Sequence, residues 1–368
     1  MMLQNKSNRL LNLFLQLTQI NALSGNEKPL ADFIKKFLAD LGLNVIEDNS
    51  KSKTGSDTGN LICQIGDGGD FVLLSHMDTA RPTIDVKPII KEDRIVSSGD
   101  TVLGVDNRAG VSVLLYTLEK IANEKIPVKD FTVAFTTCEE TTLFGSQNLG
   151  VNGKIKKGYI FDSGYRPGNF ICSACGAIAF KLKIIGRASH SGIAPEKGIN
   201  AMRIAANAIS KLPLGRIDEE TTMNIGTLTS GSAVNVIPES AVLEGEVRSF
   251  DLKKAEKYFN LVANTFKEEA ESANAKMELN HYWDFMPYTI SESSEVYQEL
   301  VRAIKAVGLT PNPQISLGGS DANSLNGRGI QSINLGIGAQ NPHGNDEFIY
   351  IEDLVKSAEI ALELVRKN

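Results

Sequence analysis

Residues 8–41 alternate apolar and polar positions at helical spacing. Leu10, Leu11, Leu13, Phe14, Leu15 and Leu17 stand among Asn and Gln, an amphipathic stretch that predicts a first helix. Ser24-Gly-Asn-Glu27 reads as a capping box feeding a second helix from near Lys28. Residues 60–65, a Gly66-Asp-Gly-Gly69 turn and residues 71–74 read as two strands joined in a hairpin, with His76 where the second strand ends. A helix over residues 109–122 follows a Gly-Val-Asp-Asn loop, and the apolar, β-branched run at residues 131–136 predicts a buried strand whose end carries Glu139 and Glu140. Another strand, residues 157–161, ends on Asp162. Successive strand ends therefore place polar residues above one sheet edge, where open α/β folds put their sites.

The pattern changes near residue 176. Strand, helix, two strands, helix and strand follow over residues 177–282, a βαββαβ order that matches the ferredoxin-like motif. We expect an inserted lid domain over residues 175–288 and a catalytic domain over residues 1–174 and 289–368, resumed by a helix from Glu295. The fold class expected is α/β: a mixed sheet with helices on both faces, plus an inserted ferredoxin-like α+β domain. No internal repeat or low-complexity tract interrupts this order.

Composition narrows the partners. The 368 residues carry 38 basic and 44 acidic side chains, interspersed along the chain for a net charge of −6, without the basic stripe that nucleic acid requires. No apolar run approaches the roughly 20 residues that cross a bilayer, and no small-residue cleavage site follows the amphipathic start. Four cysteines are too few for a disulfide framework, so a reducing cytoplasm is the expected compartment. Cys172-Ser-Ala-Cys175 is a CxxC without a second one, and no metal or redox site is expected there.

The chemistry concentrates around two of the four histidines, His76 and His343. His76-x-Asp78 on an extended segment puts imidazole and carboxylate on one side, where the acid can orient a metal-bound histidine. Asp106, just before a helix, is by itself equally an N-cap, and Glu139-Glu140 equally a solvated acidic pair.

Taken in order, Ser75-His-Met-Asp-Thr79, Gly104-Val-Asp-Asn-Arg-Ala-Gly110, Thr136-Thr-Cys-Glu-Glu140, Phe161-Asp162-Ser-Gly164, Ala188-Ser-His-Ser-Gly192, Asn235-Val-Ile-Pro238 and Pro342-His-Gly344 resemble the M20 family of co-catalytic zinc peptidases over almost the whole chain. The resemblance implies two Zn²⁺ per subunit, one held by His76, Asp106 and Asp162, the other by Asp106, Glu140 and His343, with Asp106 bridging. It implies Glu139 as general base, Asp78 behind His76, and His190 as a donor to the developing oxyanion. It further implies substrate contacts from Asn235, from Arg248 as a carboxylate-binding arginine, and from the Gly318-Gly-Ser-Asp-Ala322 loop through Gly319 and Ser320. A short peptide is the implied substrate and a homodimer through the lid domain the implied assembly.

His-Met-Asp-Thr, Phe-Asp-Ser-Gly and His-Gly-Asn-Asp-Glu-Phe lean to the peptidase T-like branch, which implies removal of the amino-terminal residue of short peptides, tripeptides among them. Asn107 and Ser191-Gly192 depart from that branch, which has Asp and Pro-Gly there. N-acyl amino acid deacylases and carboxypeptidases of the family are the alternative. A non-catalytic relative used for binding or assembly would be expected to have lost Glu139 or a ligand, and every such position is filled here.

Overall fold

The computed structural model describes residues 2–367. The chain forms two compact units: one takes in the chain up to Ser173, Thr289–Ile315 and everything from Ser320, and the other is Ala174–Tyr288 with Ser316–Gly319.

The first unit is built on a nine-stranded sheet. Its middle runs Phe131–Thr136, Phe71–His76, Lys157–Ser163 and Gln331–Gly336, all parallel to one another. The first two strands are buried at every position, which is why they read as unbroken apolar runs. Antiparallel strands flank them, Leu61–Ile65 and Val45–Glu47 on one side and Asn169–Ala174 on the other. The sheet is therefore mixed, and helices cover both faces. Met2–Thr18, Val105–Glu124 and Ile351–Val365 pack on one another, while Asp321–Gly327 lies against Gln331–Gly336 and Lys157–Ser163.

The expected hairpin is a correction. Leu61–Ile65 and Phe71–His76 do not pair with each other, because Phe131–Thr136 lies between them and bonds to both. The glycines serve that arrangement. At Gly69 φ is +58°, and a Cβ there would stand 1.9 Å from the carbonyl oxygen of Asp130, so the turn is a close pass over the start of the intervening strand. Gly69→Ala is expected to lower folding stability by about 1–3 kcal/mol through backbone strain, read as a shifted denaturant midpoint. A midpoint equal to wild type would mean the turn relaxes freely.

The capping box at residues 24–27 is a second correction. Glu27 itself is the residue preceding helix Lys28–Asp40 and makes no side-chain cap. Its carboxylate is buried and accepts instead from Gly25 N, Cys138 N and the Ser56 hydroxyl, while the Ser24 hydroxyl donates to Asp78.

The second unit is a five-stranded antiparallel sheet in the order Gly215–Asp218, Thr221–Ser230, Ser240–Ser249, Gly176–Ile185, Lys276–Phe285. Without its first strand, this is the ferredoxin-like arrangement. Alternate residues Ile178, Phe180, Leu182 and Ile184 meet Ile204, Ala205 and Ala208 of helix Ala201–Ile209 and Phe259, Val262 and Phe266 of helix Leu252–Ser272 in one core. Asn200 and Asp251 cap these helices by accepting from Arg203 N and Lys254 N.

Candidate metal centre

The carboxyl ends of the four parallel strands carry the site. His76 closes Phe71–His76, Asp162 lies near the end of Lys157–Ser163, and Glu139 and Glu140 open a short helix just after Phe131–Thr136. The chain leaving Gln331–Gly336 reaches His343 in a loop closed by Gln340 and Phe348, whose backbones bond to each other. Asp106 comes from the start of helix Val105–Glu124, where its dihedrals are extended rather than helical.

Two clusters result. His76 Nε2 lies 3.0 Å from Asp106 Oδ1 and 3.1 Å from Asp162 Oδ1. His343 Nε2 lies 3.4 Å from Asp106 Oδ2 and 3.1 Å from Glu140 Oε2. Within each trio the ligand atoms stand within 4.8 Å of one another, and Asp106 belongs to both, one oxygen to each.

The donor set fits divalent cations. Three carboxyl groups and two imidazoles make up the two trios, and Glu140 Oε1 is buried without a hydrogen-bond partner. Burial and Asp106 push Glu140 up to about 6; burial and Asp162 push Glu139 well above the usual carboxylate range. Asp106 goes the other way: burial opposes its charge, but hydrogen bonds to His343 and His76 outweigh burial and hold its carboxyl down. The same bonds, to Asp106 and Glu140, push His343 up to about 10. Mutual repulsion among carboxylates beside proton-holding imidazoles is the electrostatic signature of a site that cations would neutralise.

Asp78 is fully buried behind this centre. Its carboxylate approaches His76 Nδ1 at 3.3 Å and accepts from Glu139 N and Glu140 N, both at 3.1 Å. One acid therefore orients both the imidazole and the turn that presents the Glu pair. Cys138, next to that pair, is buried, and its thiol is pushed up to about 12 by burial and Glu27, which suits packing and not ligation.

Of the other expected residues, His190, Asn235, Arg248 and Gly319 belong to the second unit and Ser320 to the first. In the second unit, exposed His190 and Asn235 sit on adjoining segments joined by Ser191 N to Asn235 O and by a bridge between His190 and Val236. His190 Nδ1 accepts from Gly192 N and Ile193 N, each at 3.2 Å, so the ring proton belongs on Nε2. Arg248 is already engaged: Nε and Nη2 fork onto Glu246, Nη1 donates to Leu317 O at 2.8 Å, and the guanidinium lies over the Phe285 ring. Gly319 is held by packing, since a Cβ would press within 2.6 Å of that ring. The Ser320 hydroxyl caps helix Asp321–Gly327. The remaining histidine, His281, stacks on Phe259.

The peptidase dimerisation domain of M20 peptidases matches residues 173–274, and the M42 glutamyl aminopeptidase family matches residues 83–166. The Bacillus subtilis (strain 168) protein YqjE is 33% identical and the match covers 98% of each chain. A tripeptidase from Staphylococcus aureus subsp. aureus Mu50 superposes with a TM-score of 0.91 at 33% identity, again over 98% of each chain. The chain belongs to the M20 peptidases, in their peptidase T-like branch. An aminopeptidase PepT from Bacillus cereus ATCC 10987 gives a TM-score of 0.87 at 34% identity over 98% of each chain. Among the described residues, no helix is long and apolar enough to cross a membrane.

Several supports of this M20 peptidase's centre escaped the sequence reading. Asn107 donates to Phe161 O at 2.8 Å and Asp162 Oδ1 at 3.1 Å, and Asn334 donates to Asp162 Oδ2 at 3.2 Å. Arg108, fully buried, bonds to Met77 O and Ile20 O, a fixed positive charge near Asp78, Glu347 and Asp106. The departure at Asn107 thus has a local meaning, because an amide can donate to Asp162 where a carboxylate could not.

Proposed function

We propose that this peptidase removes the amino-terminal residue from short peptides, tripeptides among them, with two zinc ions in the centre. The observation that carries the reading is a single carboxylate, Asp106, offering one oxygen to each of two complete ligand trios, with Glu139 beside them. Imidazole nitrogen and carboxylate oxygen suit zinc, and a co-catalytic pair would supply an activated water and a clamp for the oxyanion. Glu139 then takes the proton of the attacking water at its carboxylate and delivers it to the leaving amine. Asp78 holds the backbone of Glu139 and Glu140 so that the two side chains keep separate tasks. His190, with its proton on Nε2, donates to the carbonyl oxygen as charge develops there, and Asn235 beside it adds a polar contact. A homodimer through the second unit belongs to the same reading, supported by the match to the peptidase dimerisation domain, as does a cytoplasmic setting, which the free cysteines fit.

The test is to incubate zinc-loaded protein with free tripeptides, N-blocked peptides and N-acyl amino acids and to identify products by mass. Release of the first residue from free tripeptides alone is expected. Cleavage of the N-acyl amino acids instead would favour the deacylase alternative, and no cleavage at all a binding role.

Arg248 would meet the far carboxylate of the peptide by exchanging it for Glu246, since its planar fork already grips one carboxylate. A tripeptide acid is then expected to be cut faster than its C-terminal amide, and Arg248→Ala to erase that difference at about 10 to 100-fold in kcat/KM. Equal losses on both substrates would leave Arg248 as Glu246's structural partner.

A further inference from the structure

Glu347 belongs to none of the roles above, yet it ties the two halves of the second ligand trio together. It is 1% exposed. Its carboxylate reaches across more than 240 residues of sequence to accept from Gly104 N at 2.6 Å, through Oε2, and from Asp106 N at 3.0 Å, through Oε1. These amides lie at the start of helix Val105–Glu124, where the turn is not helical and the first N–H groups have no intrahelical acceptor. A carboxylate accepting two such donors is a strong, directional anchor. At its other end Glu347 is part of the His343 loop. Glu347 N donates to Gly344 O, and the next residue, Phe348, closes the loop on Gln340. His343 sits in that loop with φ +66°, in the left-handed region. Asp106 Oδ2 and His343 Nε2, the groups that approach at 3.4 Å, are thus tied to one residue, the first through the Glu347 side chain and the second through its backbone.

We propose that Glu347 is a positioning residue that fixes the Asp106 turn and the His343 loop against each other and so sets the affinity of the second metal position. The inference rests on the two-ion reading above. Asp106, Glu140 and His343 form that position, and of these Glu140 is anchored separately through Asp78. The first position keeps His76, oriented by Asp78, and Asp162, which accepts from Asn107 and Asn334, none of these contacts involving Glu347.

The experiment is a Zn²⁺ titration of the full-length apoprotein against a chelating indicator, comparing wild type, Glu347→Gln and Glu347→Asp. Glu347→Gln keeps the volume but offers one acceptor oxygen and turns an amide N–H₂ toward the other backbone donor. Its second Zn²⁺ is expected to bind about 10 to 100-fold more weakly, the usual effect of losing an outer partner of a ligand, while the first, which shares Asp106 but none of the His343 loop, is expected to weaken by less than about tenfold. Glu347→Asp, which keeps the charge on a shorter arm, is expected to fall between, and it carries the test if the Gln variant does not fold. A general loss of packing would weaken both ions equally, and that result, or two wild-type affinities, would overturn the assignment. A wild-type protein that takes up fewer than two ions would instead overturn the two-ion reading beneath it.

Discussion

Glu139→Gln is expected to leave both metal positions and the fold as they are and to lower turnover by about 10² to 10⁴-fold, the usual contribution of a general base. The amide matches the carboxylate in size, and Glu139 is absent from both ligand trios, so the substitution removes proton transfer alone. Its surroundings show why this carboxylate suits the task. Burial, Asp162, Asp321 and Glu140 all push it up, outweighing the pull of His76. A base raised in this way binds a proton more firmly than an exposed glutamate, and a cation pair next to it would draw it back down. Metal content by mass spectrometry and turnover on a free tripeptide together decide the matter. Turnover near wild type would remove Glu139 as base, and loss of an ion would make it a ligand.

Three of the five candidate ligands, His76, Glu140 and Asp162, stand at or just past the end of a strand that announces itself, whereas Asp106 at a helix start and His343 in a loop were marked only by the family resemblance. Phe71–His76, Phe131–Thr136 and Lys157–Ser163 are central and buried on both faces, so apolar runs stop where the polar ligand begins. The βαββαβ order was equally plain, since its strands alternate and its helices bury one stripe, as Ala255, Phe259, Val262 and Phe266 do. What the sequence hid is contact between distant segments. The Gly66–Gly69 stretch looks like a hairpin turn from either side, and only Asp130, brought in from 61 or more residues away, shows what the glycines avoid. Ser24 and Glu27 have the spacing of a capping box, yet the tertiary partners Asp78 and Cys138 N win both side chains. Both partners are buried, where an unmet carboxylate or amide costs more than a lost cap. Glu347 falls in the same class, because nothing in Asp-Glu-Phe indicates that its acceptors serve Gly104 and Asp106. Short strands Pro88–Lys91 and Arg94–Ser97, which pair in a small sheet with Phe348–Tyr350 after the His343 loop, were invisible for a different reason: four residues are too few to show a period.

The removal of Asp106 is expected to have the widest effect on metal binding. Asp106→Ala should abolish tight binding of both ions, whereas Asp162→Ala and His343→Ala should each weaken chiefly one. The asymmetry follows from geometry. Asp106 Oδ1 stands 3.0 Å from His76 Nε2 and Oδ2 stands 3.4 Å from His343 Nε2, so one side chain serves both trios, while Asp162 and His343 each serve one. Losing a ligand should exceed the roughly 10 to 100-fold penalty of losing an outer partner. Metal binding to the folded state also raises its stability by RT ln(1 + [L]/Kd), about 2.7 kcal/mol at a hundredfold excess over Kd, so thermal shift with added Zn²⁺ reports the same loss without any substrate. The single-site variants should keep part of that shift and Asp106→Ala essentially none. An Asp106→Ala protein that still held one ion at wild-type affinity would show that the two positions do not share this carboxylate.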